Sequence, residues 1–338
     1  MQVSASPILD AVAELCARAL SSEAGKATRA GVIARKHLRA SVAPFRLGYF
    51  QNASWLHASL REAGYQELDI RKSGVLRRDV EDALVIPWTD AAGRVLGLVY
   101  RRNQPIVTQT PNGPSDIRYA LLGDRDQLPL QGSNEARAAG YETLVVVEGS
   151  TDFLTLKLAG ADDVATPHTC FIRPPQLLKL KAIGFRRLIL CFDPDFAGWR
   201  GMLSATEGAF AAGLDVRIAR AGKADVDVDE FVLRNGLSAF RRSLLDAEDG
   251  LSVYAGAVIS AAATTPEPKA SAADLAARFA ILAPSPEAAA RLNQEFWPKI
   301  DAFAGAQLRI AATDRIAEAS AGRRLQISPI GSLLRNQR

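Results

Sequence analysis

The sequence is poor in the residues that build disulfides and zinc sites. It has three cysteines, Cys16, Cys170 and Cys191, and three histidines, and these residues are far apart and form no Cys-x-x-Cys pair or Cys/His cluster. Structural zinc requires such clusters, so we expect no zinc. Scattered single cysteines are also typical of a reducing compartment.

Long apolar runs are also missing. No uninterrupted apolar segment approaches the roughly 20 residues that cross a bilayer. The N-terminal residues MQVSASPILDAVAELC contain no basic region followed by an apolar stretch, which a secretory signal would require. We therefore expect a cytoplasmic protein with no membrane partner.

The net charge is small, at +4, but it is unevenly distributed. Residues 1–125 carry 17 Lys/Arg against 12 Asp/Glu, residues 126–236 carry 12 against 15, and residues 237–338 carry 12 against 10. A basic first third followed by an acidic middle suits a nucleic-acid groove beside a metal site. Ordinary solvated surfaces also produce such imbalances, so charge alone leaves both readings open.

The first 140 residues read as a mixed α+β segment. Helical spacing of apolar residues predicts helices within 1–40 and over 54–64. The stretch ALVIPWTDAAGRVLGLVYRR predicts two strands joined by a turn at Asp90–Gly93. The following QPIVTQTPNGPSD, rich in Pro, Asn and Gly, predicts a loop.

From about residue 141 the pattern changes to alternating strands and helices. The apolar strands TLVVV, DVAT, RRLILCF and DVRIAR alternate with helical segments, which predicts a doubly wound parallel sheet. From about 237 the chain becomes Ala-rich and helical, with a linker-like break at TTPEPKAS (264–271). We thus expect three parts: 1–140, 141–245 and a helical C-terminal part, 246–338.

Acidic residues follow three of the predicted strands. Glu148 follows the first, Asp193 and Asp195 follow the third, and the cluster Asp225, Asp227, Asp229 and Glu230 follows the fourth. Ligands of α/β sheets bind beyond the carboxyl ends of the strands, so these side chains are expected at one edge. Asp152, four residues after Glu148, lies one helical turn further on.

So many carboxylates repel one another unless a cation offsets their charge. Hard oxygen ligands favour Mg²⁺ or Mn²⁺, which can neutralise charge that develops on phosphate oxygens. A single aspartate after a strand is more commonly a helix cap or a turn residue. Three successive strands ending in carboxylates favour a metal site.

The same motifs resemble the toprim domain, and in particular the bacterial DnaG-type primase core. The segments VVVEGSTDFLTLKLAG, FDPDFAG and GKADVDVDEFVLRNG are similar to that family's three ordered motifs. FRLGYF with SWLHASLREAGY, the hairpin at 85–101, and IRYALLG extend the resemblance over about residues 40–245. The matching motif positions are Glu148, Gly149 and Asp152; Asp193, Asp195, Ala197 and Gly198; and Gly222, Lys223, Asp227, Asp229 and Glu230.

The resemblance implies DNA-directed primer synthesis from nucleoside triphosphates on a single-stranded DNA template, with Mg²⁺ or Mn²⁺. It implies a catalytic set of Glu148, Asp152, Asp193 and Asp195, with metal held by Glu148, Asp193, Asp195, Asp227 and Asp229. It also implies phosphate binding by Arg101, Arg118 and Lys223, because arginine contacts phosphate bidentately. Arg101 could instead protect a strand edge from aggregation.

Several features depart from the family. The chain has no cysteines for the family's zinc module, so we expect a stand-alone core, encoded by a mobile element, with a helicase or zinc-module partner in trans. Pro194 replaces a usual glycine, Arg118 replaces a lysine, and the third motif has two extra residues. Two alternatives stay open: a toprim nuclease, and a non-catalytic nucleic-acid-binding or nucleotide-binding subunit.

Overall fold

The computed structural model describes residues 7–110, 113–222 and 226–320. The chain forms two compact units, Met1–Glu135 with Ser150–Asp162, and Ala136–Gly149 with Asp163–Arg338. The predicted division into 1–140, 141–245 and 246–338 stays a prediction. None of the helices in the described ranges is long and apolar enough to span a bilayer.

The first unit is built on an antiparallel sheet with the strand order β1-β2-β3-β4. The strands are β1 Gly48–Phe50, β2 Ala83–Thr89, β3 Val95–Thr110 and β4 Gly113–Leu122. Its helices are Pro7–Ser21, Ala53–Glu62, Glu67–Ser73 and Ser150–Leu158. Short helical segments lie at Glu23–Gly25, Lys26–Thr28, Arg29–Ile33 and Leu38–Ser41.

The first helix packs directly on β1. A side chain at Gly48 would begin 2.5 Å from Cβ of Cys16, so only glycine lets the strand approach the helix this closely. Phe50 and Tyr100 meet edge to face behind this contact, with their ring centroids 5.5 Å apart. The helix thereby covers one face of the sheet and excludes water from it.

The predicted loop QPIVTQTPNGPSD is wrong, because most of this stretch is a long β-ribbon. β3 runs to Thr110 and β4 begins at Gly113, and the strands pair from Ile106↔Ile117 to Thr110↔Gly113. The β-branched run Ile106, Val107, Thr108 favours strand, and cross-strand pairing outweighs the local Pro and Gly signals. Pro111 and Asn112 lie outside the described residues.

The second unit contains the sheet β6-β5-β7-β8-β9, in which β5–β8 are parallel. The strands are β5 Thr143–Val147, β6 Val164–Ala165, β7 Arg187–Cys191, β8 Asp215–Ile218 and β9 Glu248–Asp249. Helices Pro174–Ala182 and Phe196–Ala211 connect the parallel strands within this unit. The predicted toprim-like parallel sheet, preceded by a mixed α+β part, is confirmed.

The chain beyond residue 237 is mainly helical. The helix Val228–Asn235 precedes this region. The helices of the region are Leu237–Ser243, Leu244–Asp246, Gly250–Ala262, Pro268–Ala280, Pro286–Arg291, Leu292–Phe296, Trp297–Ala304 and Ala306–Ser320. The short helix Ser133–Ala138 lies where the chain first passes between the two units.

Two details of the helical region differ from the sequence predictions. The two residues of β9 pair antiparallel with β8, so this region also contributes a strand. The predicted break at 264–271 contains the start of the helix Pro268–Ala280. Proline at the first helical position lacks an N–H that would have no partner there, and its fixed φ suits a helix start.

An aromatic cluster forms the core of the helical region. Phe279 is 2% exposed. Its ring lies 4.2 Å from that of Tyr254, 4.9 Å from Phe210 and 5.1 Å from Phe296, measured between centroids. Offset and tilted aromatic pairs at these separations add to the stabilisation from buried area, so Phe279 holds several helices together.

We expect Phe279→Ala to lower the free energy of unfolding by about 3–5 kcal/mol, because truncation leaves a cavity among well-packed rings. Leu245→Ala is the matched control, since Leu245 is 83% exposed and should change stability by less than about 0.5 kcal/mol. Urea denaturation followed by circular dichroism measures both. Equal midpoints for the two variants would contradict the assigned core.

Candidate metal centre

Strand register places the first two acidic motifs at one edge of the parallel sheet. Val147, the last residue of β5, pairs with Cys191, the last residue of β7. Glu148 therefore follows β5 where Asp193 follows β7, two residues beyond Cys191. The Oε2 atom of Glu148 and the Oδ1 atom of Asp193 are both buried, so each carboxylate turns at least one oxygen away from solvent.

Gly198 brings three acidic residues together. A Cβ at this position would collide with the main-chain oxygen of Asp193 and lie 3.0 Å from Oε2 of Glu148. The N–H of Gly198 donates a 2.7 Å hydrogen bond to Oδ1 of Asp195, which caps the helix Phe196–Ala211. The helix N-terminus carries partial positive charge that stabilises nearby carboxylates, so its first turn suits Glu148 and Asp195.

The loop after β6 is hydrogen-bonded to the backbone of Glu148. Oγ1 of Thr166 donates to the carbonyl oxygen of Glu148 at 3.0 Å, and the N–H of His168 donates to Oγ1 of Thr166 at 2.9 Å. His168 has φ of 56° and is 5% exposed. A buried, non-glycine residue in the left-handed region is uncommon, and Thr166 helps to hold the backbone there.

The pKa of the Cys170 thiol depends on the charges of the nearby acidic residues. Burial, together with the smaller effect of the negative charges of Glu148 and Asp195, raises the pKa of its thiol to about 11. The carbonyl oxygen of Cys170 packs against Gly201, where a side chain would overlap it. The loop and the helix Phe196–Ala211 are thus in contact beside Glu148.

The third acidic motif is only partly described. Asp227 precedes the helix Val228–Asn235, and Asp229, in its first turn, is 2% exposed and accepts a 2.7 Å hydrogen bond from the N–H of Glu230. Gly222 has φ of 80° and packs against the ring of Phe231. Lys223 and Asp225 lie outside the described residues.

The described residues do not converge into a finished metal cage. Across 7–110, 113–222 and 226–320, no three His, Cys, Asp or Glu side chains are grouped closely enough to hold a metal ion. Asp195 is turned toward the helix as its cap. The donor chemistry nevertheless fits a hard cation, because Glu148, Asp193 and Asp195 offer carboxylate oxygens and are close to one glycine. Metal binding by these residues stays a prediction.

Asp152 belongs to the first unit. It lies in the first turn of the helix Ser150–Leu158 and is 3% exposed. A carboxylate is seldom buried to this extent without polar partners or a cation. Its predicted catalytic role is compatible with that burial and stays a prediction.

The two arginines predicted to bind phosphate lie in the β-ribbon, on different faces. Arg101 pairs with Tyr119 across β3 and β4, and directly opposed residues share a face, whereas the neighbouring Arg118 points to the other face. Arg101 is 8% exposed, and its Nε donates to the Tyr119 hydroxyl at 3.1 Å. Arg118 is more exposed and lies 3.8 Å from Asp116. They therefore do not form one phosphate-binding surface.

Sequence reasoning did not single out several neighbours of the acidic residues. Thr166 and Cys170 lie in the loop after β6. Arg200 lies in the first turns of the helix after Asp195, with the rings of Phe171 and Phe196 beside it. No motif marks these positions, because contacts between a loop and a helix are not encoded at fixed spacing.

Comparison with known sequences identifies the central part of the chain. Residues 142–220 match the family described as Toprim domain. The DNA primase of Clostridium acetobutylicum is 27% identical over 215 residues, covering 60% of this chain and 34% of that protein. The DNA primase of Staphylococcus aureus is 24% identical over 215 residues, covering 57% and 33%. The chain thus spans about a third of the length of these relatives.

Solved structures extend the likeness to nearly the whole chain. A DNA primase domain from Pseudomonas aeruginosa superposes with a TM-score of 0.72 at 21% identity, covering 92% of this chain and 100% of that one. The Escherichia coli primase catalytic core gives 0.66 at 19% identity, covering 87% and 96%. Residues 142–220 therefore have the toprim fold. The chain as a whole has the fold of the DnaG primase catalytic core.

We expect Gly198→Ala to destabilise the protein by about 1–3 kcal/mol, because the new methyl group would meet the main chain of Asp193. Gly256→Ala is the matched control. Gly256 lies in the helix Gly250–Ala262 with open space around it, and alanine there should stabilise by about 0.4–1 kcal/mol. Thermal denaturation of both variants measures the difference, and equal shifts would refute the close approach.

We expect Glu148→Gln to speed alkylation of Cys170 by about twofold or more at pH 8.5, because thiolate is the reactive form and loss of the nearby charge lowers the pKa of the thiol. Iodoacetamide labelling followed by mass spectrometry of the Cys170 peptide measures the rate. Glu142→Gln, an exposed carboxylate before β5, serves as control. An unchanged rate in Glu148→Gln would show that Glu148 is uncharged or turned away.

Proposed function

We propose that this chain is the catalytic core of a DNA primase, which joins nucleotides from nucleoside triphosphates on a single-stranded DNA template. The observation that carries the proposal is the cluster of Glu148, Asp193 and Asp195 around Gly198, in a toprim domain whose curated relatives are DNA primases. One of the similar structures is described as the DnaG primase catalytic domain bound to ssDNA, which supports a nucleic-acid template.

The acidic cluster is proposed to hold a divalent cation, Mg²⁺ or Mn²⁺. When bound, the cation would neutralise negative charge on the triphosphate as the bond to the leaving pyrophosphate breaks. Glu148, Asp193 and Asp195 would supply oxygen ligands, and Asp227 and Asp229 are proposed to complete the acidic site. Asp195 would exchange part of its capping role for ligation.

The protein's own groups then position the reactants. Gly198 lets the helix N-terminus approach the carboxylates closely, so the backbone N–H groups of that turn can face an anionic ligand. The hydrogen bonds from Thr166 to the main-chain oxygen of Glu148 and from His168 to Thr166 hold the backbone from which the Glu148 side chain extends. Asp152 is proposed as a further acidic group of the reaction.

Arg101, Arg118 and Lys223 are proposed to contact phosphates of the template or triphosphate. Since Arg101 and Arg118 lie on opposite faces of the ribbon, they would contact different phosphates. Arg118, the more exposed, is available at the ribbon surface once it leaves Asp116. Arg101 is more buried, and its Nε already donates a hydrogen bond to the Tyr119 hydroxyl.

A primer-synthesis assay separates this function from the nuclease alternative. The protein is incubated with single-stranded DNA, labelled nucleoside triphosphates and Mg²⁺ or Mn²⁺. New short labelled products complementary to the template support a primase, whereas shortened template supports a nuclease. DNA binding without either product supports the non-catalytic alternative.

We expect the double variant Asp193→Asn, Asp195→Asn to lose primer synthesis and also the increase in Tm that Mg²⁺ gives the parent, because a ligand that binds the folded state stabilises it by mass action. Asp246→Asn, an exposed acidic residue of the same unit, is the control. A double variant that still gains the parent's Mg²⁺-dependent increase in Tm would place the cation elsewhere.

A further inference from the structure

The guanidinium of Arg200 lies close to the rings of two phenylalanines. Its guanidinium carbon lies 5.9 Å from the ring centroid of Phe171 and 5.8 Å from that of Phe196. These distances are within the range of cation–π attraction. Phe171 comes from the loop after β6 and Phe196 begins the helix after Asp195, so two separate segments supply the rings.

Several arginines of the same unit have a carboxylate partner, whereas Arg200 forms no ion pair with any carboxylate among the described residues. Arg187 pairs with Asp215, Arg241 with Asp163, and Arg291 with several carboxylates. Within the described ranges, Nε of Arg200 is buried without a hydrogen-bond partner. A buried donor without a partner costs free energy, so an acceptor from a ligand would be favourable here.

The two rings are also unusually open to solvent. Phe171 is 42% exposed and Phe196 is 41% exposed, although phenylalanine is among the residues most often buried. Two half-exposed rings near one arginine present flat, apolar faces beside a planar cation. Nucleobases stack on such faces regardless of sequence, and the guanidinium fork matches phosphate.

Phe171, Arg200 and Phe196 lie near the acidic residues of the candidate metal centre. Phe196 follows Asp195 directly, and Phe171 follows Cys170, which packs on Gly201 of the same helix. The rings therefore lie beside the residues proposed to bind the triphosphate. A base stacked there would belong to a nucleotide whose phosphates are near Arg200 and the helix N-terminus.

We propose that Phe171, Arg200 and Phe196 form a binding site for a nucleobase and its phosphate. This site adds detail to the proposed function and rests on it in one respect, the choice of a nucleotide as the ligand. The same chemistry is offered by a strand of nucleic acid and by a free nucleoside triphosphate. The site contacts the ligand through stacking on the rings and through charge-assisted hydrogen bonds from the guanidinium.

The test compares labelled oligo(dT) with an abasic oligomer of the same length, without metal, by fluorescence anisotropy. The two oligomers carry the same phosphates, so the ratio of their affinities reports on bases alone. We expect Phe171→Leu to reduce that ratio by about fivefold or more, in line with base–aromatic stacking, and to leave abasic affinity unchanged. Arg200→Gln should weaken both oligomers and make their salt dependence shallower.

A second arm measures ATP binding with the same variants. Loss confined to oligo(dT) identifies a strand of nucleic acid, and loss confined to ATP identifies the incoming nucleotide. Either result supports the site. Tyr141→Leu and Arg186→Lys are controls, because both residues are exposed in the same unit. If Phe171→Leu and Arg200→Gln match these controls in both arms, the group is only a packing contact and the proposal is overturned.

These measurements stand apart from primer synthesis. A parent protein that makes no primers but shows base-dependent binding through Phe171 would refute the proposed function and keep the site. If the parent makes primers while Phe171→Leu and Arg200→Gln bind both ligands as the controls do, the proposed function is supported and the proposed binding site is overturned. Because Phe196 adjoins Asp195, Phe196→Leu is used only if its Mg²⁺-dependent change in Tm equals that of the parent.

Discussion

The close approach of a helix N-terminus to two strand ends is the constraint on which the candidate site depends. Gly198 allows it, because any side chain would displace the main chain of Asp193 or the carboxylate of Glu148. The first turn of the helix offers partial positive charge to these acidic groups. Repulsion among the carboxylates is thus partly offset by the fold itself, before any cation binds.

The position of the acidic residues was accessible from the sequence because it follows from local patterns. An apolar strand followed by Glu148, and another followed by Asp193, identify the strand ends, and parallel sheets bring such ends to one edge. The resemblance to toprim proteins added which of these positions belong together. Whether the carboxylates ligate a metal is a matter of side-chain orientation, which no sequence pattern fixes.

The features that could not be predicted from the sequence depend on contacts between residues that are far apart in the chain. The extended β3–β4 ribbon contains Pro, Asn and Gly, so local propensity favoured a loop, but the cross-strand pairs outweigh it. The opposite orientation of Arg101 and Arg118 depends on strand register across that ribbon. The contacts of Arg200 with Phe171 and Phe196 depend on a loop that packs against a helix, and no spacing of residues in the sequence predicts that packing.

The short strand β9 has a consequence for how this molecule can be divided. By pairing with β8, Glu248 and Asp249 cover what would otherwise be the open edge of the parallel sheet. Arg291 reinforces the junction, since it contacts Asp215 of β8 at 2.8 Å and Asp249 of β9 at 3.1 Å. An uncovered strand edge is a template for association with other chains. The strand β9 therefore protects the edge of β8 from such association, and a fragment ending before Glu248 would lose that protection.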